Sequence, residues 1–357
     1  MDFLPQKHAK YFVRSLNLLP ARLASHDSTR VTIAFFAVCG LDILDSLELL
    51  AQTQRQNIIE WIYRYQVVPK GSIKCGGFQG SSILSIKSDD PAKCAAVQSY
   101  HWGHLAMTYT GIAILVSLGD DLSRLDRKAI VEGVAAVQRE DGSFSASIEG
   151  NEHDMRFVYC AAAICAMLND WGTVDRQRMA QYIRNSIRYD YGISQHNEME
   201  GHGGTTFCAI AALHLSDQLN ILSHREVEGI KRWLVMRQTT GFHGRPNKTE
   251  DTCYSFWIAA TLKILDAFHL TSFEDNRNFI ISTQNCIVGG FSKWPDFNTD
   301  PFHTYFGICG LSFVNEPHVL EVMPSLNISM RAYRRLKNIH DTWNVEESFN
   351  DVRVNID

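Results

Sequence analysis

Asp251 and Cys253, in Glu250-Asp251-Thr252-Cys253-Tyr254, and His303, in His303-Thr304-Tyr305-Phe306-Gly307, offer one carboxylate, one thiolate and one imidazole. That donor set suits zinc, and three protein ligands leave a fourth tetrahedral position open for a reacting group, the pattern of a catalytic site. Taken alone, Asp251-x-Cys253 also reads as a helix-capping aspartate beside a buried cysteine. Just upstream, Gly241-Phe242-His243-Gly244-Arg245-Pro246-Asn247-Lys248 sets two cations before Asp251, while His202-Gly203-Gly204 opens an apolar segment. Helix N-termini flanked by cations hold anions, although Arg245 and Lys248 read equally well as solvated loop charges. A net-acidic chain that gathers cations beside a candidate metal favours a diphosphate. Asp120-Asp121-x4-Asp126 has the wrong spacing for an aspartate-rich magnesium diphosphate motif, and Asp121 or Ser123 there reads as a helix cap.

The elements that must bring these residues together alternate regularly. Segments Gln54 to Tyr65, Arg127 to Val137, Arg176 to Ile187, Arg225 to Met236 and Phe273 to Ser282 mix charges with apolar residues at helical spacing and read as half-exposed helices. Each leads into a glycine turn, and Gly192, Gly241 and Gly290 recur every 49 residues. After each turn comes a more apolar segment. Aligning Tyr109, Tyr159, Phe207, Tyr254 and Tyr305 gives steps of 50, 48, 47 and 51 residues, a helix-pair repeat of about 50. We read the fold as all-α, an α/α barrel in a single domain over residues 1–357. In that register Arg156, His202, Asp251, Cys253 and His303 all fall at one rim. Tyr109, Phe157, Tyr159, Phe207, Phe256, Trp257, Tyr305 and Phe306 would line a central cavity or simply fill the core.

Composition narrows the function. The 357 residues carry a formal charge of −5 and are 45% hydrophobic and 20% charged, which argues against general nucleic-acid binding and against disorder. No apolar run suits a signal core or a membrane span, and nine cysteines without a C-x-x-C pair suit a reduced, cytoplasmic setting.

The stretch Asp251-Thr252-Cys253-Tyr254-Ser255-Phe256-Trp257, preceded by Gly244 to Lys248, resembles the β subunits of protein prenyltransferases, and among them those of the type I geranylgeranyl enzymes. Asp154-Met155-Arg156-Phe157-Val158-Tyr159-Cys160, Gly201-His202-Gly203-Gly204-Thr205-Thr206-Phe207-Cys208 and His303 to Gly307 extend the resemblance over nearly the whole chain. It implies one zinc held by Asp251, Cys253 and His303, with the cysteine of a C-a-a-X protein, often ending in Leu, completing the sphere. His202, Gly203, Gly204, Arg245, Pro246, Asn247, Lys248, Tyr254, Ser255, Phe256 and Trp257 would surround geranylgeranyl diphosphate. Of these, His202, Arg245, Lys248 and Tyr254 would hold the phosphates. Arg156, Tyr109 and Trp257 would shape the isoprenoid channel.

Two positions carry the subclass. Thr32 matches a tryptophan at the channel floor of farnesyltransferase, which leaves room for a fourth isoprene unit. Lys293 matches a magnesium-associated aspartate, so it would neutralise the leaving diphosphate and make magnesium unnecessary. The resemblance also implies an α subunit shared with farnesyltransferase and Rho/Rac-type GTPases as acceptors. The alternatives are a Rab geranylgeranyltransferase or farnesyltransferase β subunit, or a non-catalytic helical-repeat module. A terpene cyclase would need a D-x-D-D motif, which the chain lacks.

Overall fold

The computed structural model describes residues 2–19, 21–69, 75–82 and 102–354, so Cys94 and most of the insert at 70–99 lie outside the described residues. Helix α1 (Pro5–Asn17) leads through a 3₁₀ segment (Ala21–Thr29) to α2 (Arg30–Ile43), α3 (Gln52–Tyr63) and an antiparallel pair, β1 (Gln66–Val67) and β2 (Gly77–Phe78). Then follow α4 (Leu105–Leu118), α5 (Arg127–Ala136), α6 (Met155–Leu168), α7 (Arg176–Asn185), α8 (Gly203–Leu215) and α9 (His224–Val235). The chain ends with α10 (Tyr254–Ile264), α11 (Phe273–Ser282), α12 (Pro301–Phe313), the hairpin β3 (Val322–Met323) with β4 (Ile328–Ser329), and α13 (Met330–Val354).

Helices α2, α4, α6, α8, α10 and α12 are buried along almost their whole length. Each packs on the next, and α12 packs back on α2, which closes the ring. The amphipathic helices between them lie outside. The barrel expected from the repeat is therefore present, and ring closure removes the exposed ends that an open solenoid would have to cap.

A hydrogen bond repeated at every second glycine turn joins it to its inner helix. Thr108, Thr206 and Thr304 donate through Oγ1 to the carbonyls of His104, His202 and Asp300, four residues back. The same oxygens accept the N–H of Phe78, Ile193 and Phe291 at 2.9 to 3.0 Å. Phe144, Ile193, Phe242 and Phe291, 49 residues apart, are fully buried behind the turns. Each makes a single β-bridge to the end of the preceding outer helix, at Gln138, Ile187, Gln238 and Gln284. These bridges escaped the sequence reading because one residue pair has no period to detect. All the turns, and hence the N-termini of the inner helices, face one end of the barrel.

The other end is closed. The tip of the β3–β4 hairpin enters the barrel, where the Leu326 and Asn327 carbonyls accept the hydroxyls of Tyr109 (3.0 Å) and Tyr305 (2.6 Å). Arg331 on α13 pairs with buried Asp42 at the end of α2 (2.7 Å), and His340 bonds the Met167 carbonyl at the end of α6 (2.8 Å). Inside, aromatic rings follow one another at 5.0 to 5.9 Å from Tyr109 through Tyr159, Phe207, Phe256, Phe306, Phe36 and Phe35, back to Tyr109.

The aspartate run is structural. Asp120 accepts the Tyr63 hydroxyl (2.6 Å) and Asp121 closes a turn on Ser123. Asp126, rather than Asp121 or Ser123, is the helix cap, accepting the Ala129 N–H on α5. No helix is long and apolar enough to cross a membrane among the described residues.

Helix α1 clasps the turn before Phe291. The Gly290 N–H donates to His8 Nδ1 (2.9 Å), His8 Nε2 bonds Gln284 Oε1 (2.8 Å), and the imidazole packs against both Phe3 and Phe291, which also touch each other. Burial holds the His8 pKa down to about 4, against an ordinary 6.5. Between those values the unfolded chain binds a proton that the folded chain does not. Stability therefore falls as pH drops through that window, by about 3 kcal/mol from this residue. His8→Gln is expected to lower the thermal midpoint near neutral pH but to lose less than wild type on acidification to about pH 5, as midpoints at both pH values will test.

Candidate metal centre and anion cleft

Asp251 and Cys253 stand in the turn that opens α10, and His303 lies in the first turn of α12, so ring packing brings two chain segments together. The ligating atoms of the three lie within 4.8 Å of one another, and no other such group occurs among the described residues. Asp251 Oδ1 accepts the Cys253 N–H (3.0 Å) and lies 3.3 Å from His303 Nε2. On the far side of the imidazole, Nδ1 donates to Asp300 Oδ2 at 2.6 Å, while Asp300 Oδ1 caps α12 through the His303 N–H (2.8 Å). A carboxylate behind a histidine fixes the ring so that the opposite nitrogen faces the site.

Burial, then the Asp251 carboxylate, pushes the Cys253 thiol well up. Burial works against a charged His303, but hydrogen bonds and charge from Asp251 and Asp300 outweigh it and bring the imidazole up to about 9. Asp251 is buried as well, yet contact with His303 holds its carboxyl below the usual range. A buried thiol beside a carboxylate resists ionisation until a cation sits between them, and a divalent metal reverses that preference. The donor chemistry and the spacing therefore fit zinc.

Beside this trio lies a cleft of about 140 Å³ walled by Gly244, Arg245, Lys248, Thr249, Asp251, Tyr254, Lys293 and Trp294. Lys293 Nζ is 3.7 Å from Asp251 Oδ2 and 4.5 Å from the Trp294 ring centre. Its carbonyl accepts the Thr252 N–H, which ties the turn after α11 to the start of α10. Arg245 is paired with Glu200 at 3.1 Å. Asn247 adopts a left-handed backbone conformation (φ 60°) at the tip of the loop that carries both Arg245 and Lys248. Three cations and one phenol thus face a cavity that shares Asp251 with the metal trio.

The other residues singled out in the sequence divide. The N–H of Gly203 donates to the Gly244 carbonyl and that of Gly204 to His202 Nδ1, so neither amide is spare for an anion. His202 stands behind Tyr254, its Nε2 2.8 Å from the hydroxyl, and does not wall the cleft; nor do Pro246 and Asn247. Ser255 points away from the site to Asn276 Oδ1 (2.8 Å), and Phe256 is fully buried in the aromatic ring. Trp257 leans on Phe306 at the inner edge of the site, with ring centres 4.2 Å apart. Arg156 is held by Asp154 (2.6 Å) and Glu152 (2.5 Å) at the head of α6. Thr32, in the first turn of α2, meets Met107 Sδ at 3.6 Å. Trp294, Thr249 and Asp300 were missed, although Asp300-Pro301 is a helix-start signal that marks the last of them. Ser255→Ala is expected to destabilise the fold by about 1–3 kcal/mol, by leaving Asn276 Oδ1 unpaired, with bound metal unchanged. Thermal unfolding and metal analysis check this.

Residues 3–345 match the prenyltransferase alpha-alpha toroid domain family. The chain is 37% identical over 338 residues to the geranylgeranyl transferase type-1 subunit beta of Dictyostelium discoideum, covering 92% of this chain and 95% of that one. Its counterpart in Arabidopsis thaliana is 35% identical over 343 residues, with coverage of 93% and 90%. Among solved structures, Candida albicans protein geranylgeranyltransferase-I complexed with GGPP superposes with a TM-score of 0.81 at 25% identity, covering 95% of this chain and 99% of that one.

Proposed function

Since the chain belongs to the prenyltransferase alpha-alpha toroid family, a family of prenyl-transferring enzymes, we propose that it serves as the catalytic β subunit of a type I geranylgeranyl transferase. It moves the C20 group of geranylgeranyl diphosphate to the cysteine of a C-terminal C-a-a-X sequence. The observation that carries this reading is the single rim where the trio Asp251, Cys253 and His303 shares a carboxylate with a cation-lined cleft.

Asp251, Cys253 and His303 would hold zinc, which when bound would keep the acceptor cysteine as a thiolate near neutral pH. In the transfer a bond forms between the thiolate sulfur and C1 of the isoprenoid. The C1–O bond breaks, and the diphosphate leaves with the electron pair. Arg245, Lys248 and Lys293 stabilise the charge that builds on that leaving group, and Tyr254 donates a hydrogen bond to it. Lys293, already beside Asp251, supplies fixed positive charge where a magnesium ion would otherwise be needed.

The isoprenoid runs inward past Trp257 and the aromatic ring. The small Thr32 beside Met107 leaves volume for the last isoprene unit, whose five carbons contribute up to about 4 kcal/mol on burial. Acceptors of this class are Rho/Rac-type GTPases. An α subunit, shared with farnesyltransferase, completes the enzyme in the cytoplasm, and residues 1–357 act as one domain.

The decisive test is transfer to a Leu-ending C-a-a-X peptide by the chain co-expressed with an α subunit, offered C20 and C15 diphosphates without magnesium. C20 preference is expected; C15 preference would overturn the roles of Thr32 and Lys293, and no transfer would overturn the reading. Cys253→Ala is expected to lose both zinc and transfer. Thr32→Trp should shift chain-length preference toward C15 by roughly 10²-fold, and Lys293→Ala should make the rate depend on added magnesium.

A further inference from the structure

The rim carries a second pair of metal-type donors, apart from both the trio and the cleft. His153 ends the loop before α6, and His196 lies in the matching loop before α8 in the next repeat. Their half-buried rings meet edge to face with centres 5.4 Å apart. Two imidazoles on one tetrahedral ion, at about 2.0–2.1 Å per bond, put their ring centres roughly 5 Å apart. The pair therefore stands close to the separation at which both rings reach one ion.

The backbones that carry them are fixed to each other. One β-bridge joins Ser145 to His153 and another joins Ser194 to Gly201. The Met155 N–H donates to the Gln195 carbonyl (3.2 Å), and Gln195 Nε2 donates to Asp154 Oδ2 (2.7 Å), so the two loops are tied within two residues of each histidine. The nitrogen chemistry is set as well. A carbonyl only accepts, so the 2.9 Å bond between His153 Nδ1 and the Asn151 carbonyl puts the proton of the neutral ring on Nδ1 and the lone pair on Nε2. Metal-bound histidines are held in this way. His196 makes no ring hydrogen bond among the described residues. The carboxylates beside His153 are engaged, since Glu152 and Asp154 both pair with Arg156. Donors of nitrogen rather than oxygen select zinc or copper over magnesium and calcium.

We propose that His153 and His196 form a second metal site, a two-imidazole site for zinc or copper that clamps the loops before α6 and α8 to each other. With two protein ligands the remaining positions stay with water, and the ion is held less tightly than at the trio. The loop before α8 also carries Glu200, which pairs with Arg245 of the cleft, so the clamp braces one approach to it.

The test strips the complex of the full chain with an α subunit of metal and titrates it with zinc against a chromophoric chelator. Wild type is expected to take up one tight equivalent and one weaker one. His153→Phe and His196→Phe keep the ring contact but remove its nitrogens, and each should weaken only the second equivalent, by at least roughly tenfold, no less than loss of an outer-shell partner costs. The double variant should lose little more, because one ring alone no longer chelates. Cys253→Ala should instead lose the tight equivalent and keep the weaker one. In that background added zinc should still raise the thermal midpoint, and His153→Phe should abolish the rise. A weaker equivalent that survives both histidine substitutions, equal and additive losses in the double variant, competition by magnesium, or no second equivalent in wild type would overturn the proposal.

Discussion

Closure of the inner ring between α12 and α2 is the constraint on which everything else depends. An inner helix is apolar on nearly every side, so it is stable only when flanked by another on each side, and a closed ring is the arrangement in which each has two such neighbours. Closure also sets polarity. Threonine bonds in alternate repeats tie the turns to the helix starts, and the helix N-termini gather at one end, while the 322–343 segment blocks the other. Chemistry is thereby confined to one mouth of an aromatic-lined barrel.

At that mouth opposite electrostatic demands meet in one carboxylate. Asp251 belongs to a trio that calls for a cation and to a cleft whose other charges call for an anion. In the proposed reaction both demands are met at once, with a thiolate on one side and a departing diphosphate on the other. Placement is rigid because the supporting groups are doubly used. Asp300 caps α12 with one oxygen and holds His303 with the other. His202 caps α8 with one nitrogen and holds Tyr254 with the other.

Much of this was legible in the residues. Alternating apolar and mixed segments with a 49-residue glycine spacing reveal paired helices, and a Cys, Asp and His at matching repeat positions reveal a shared rim. What was not legible depends on direction more than on position. Tyr254 to Trp257 are consecutive, yet successive helical residues turn by about 100°, so Tyr254 faces the cleft, Ser255 an outer-helix asparagine and Phe256 the core. His202-Gly203-Gly204 reads as an anion-binding helix start, but its amides are already used by Gly244 and His202. Lys293 shows the converse. Only the family resemblance marks it in the sequence, and its place next to Asp251 follows from the Thr252 bond across the repeat.

In the proposed enzyme, residues from two repeats form one open metal site that receives the acceptor thiol. This is tested most directly by the thiolate-to-metal absorption of the cobalt-substituted complex of this chain with an α subunit. The expected result is one thiolate band from Cys253 that strengthens stoichiometrically with a C-a-a-X peptide and not with its serine analogue. A spectrum indifferent to the peptide thiol, or unchanged in Cys253→Ala, would contradict the account.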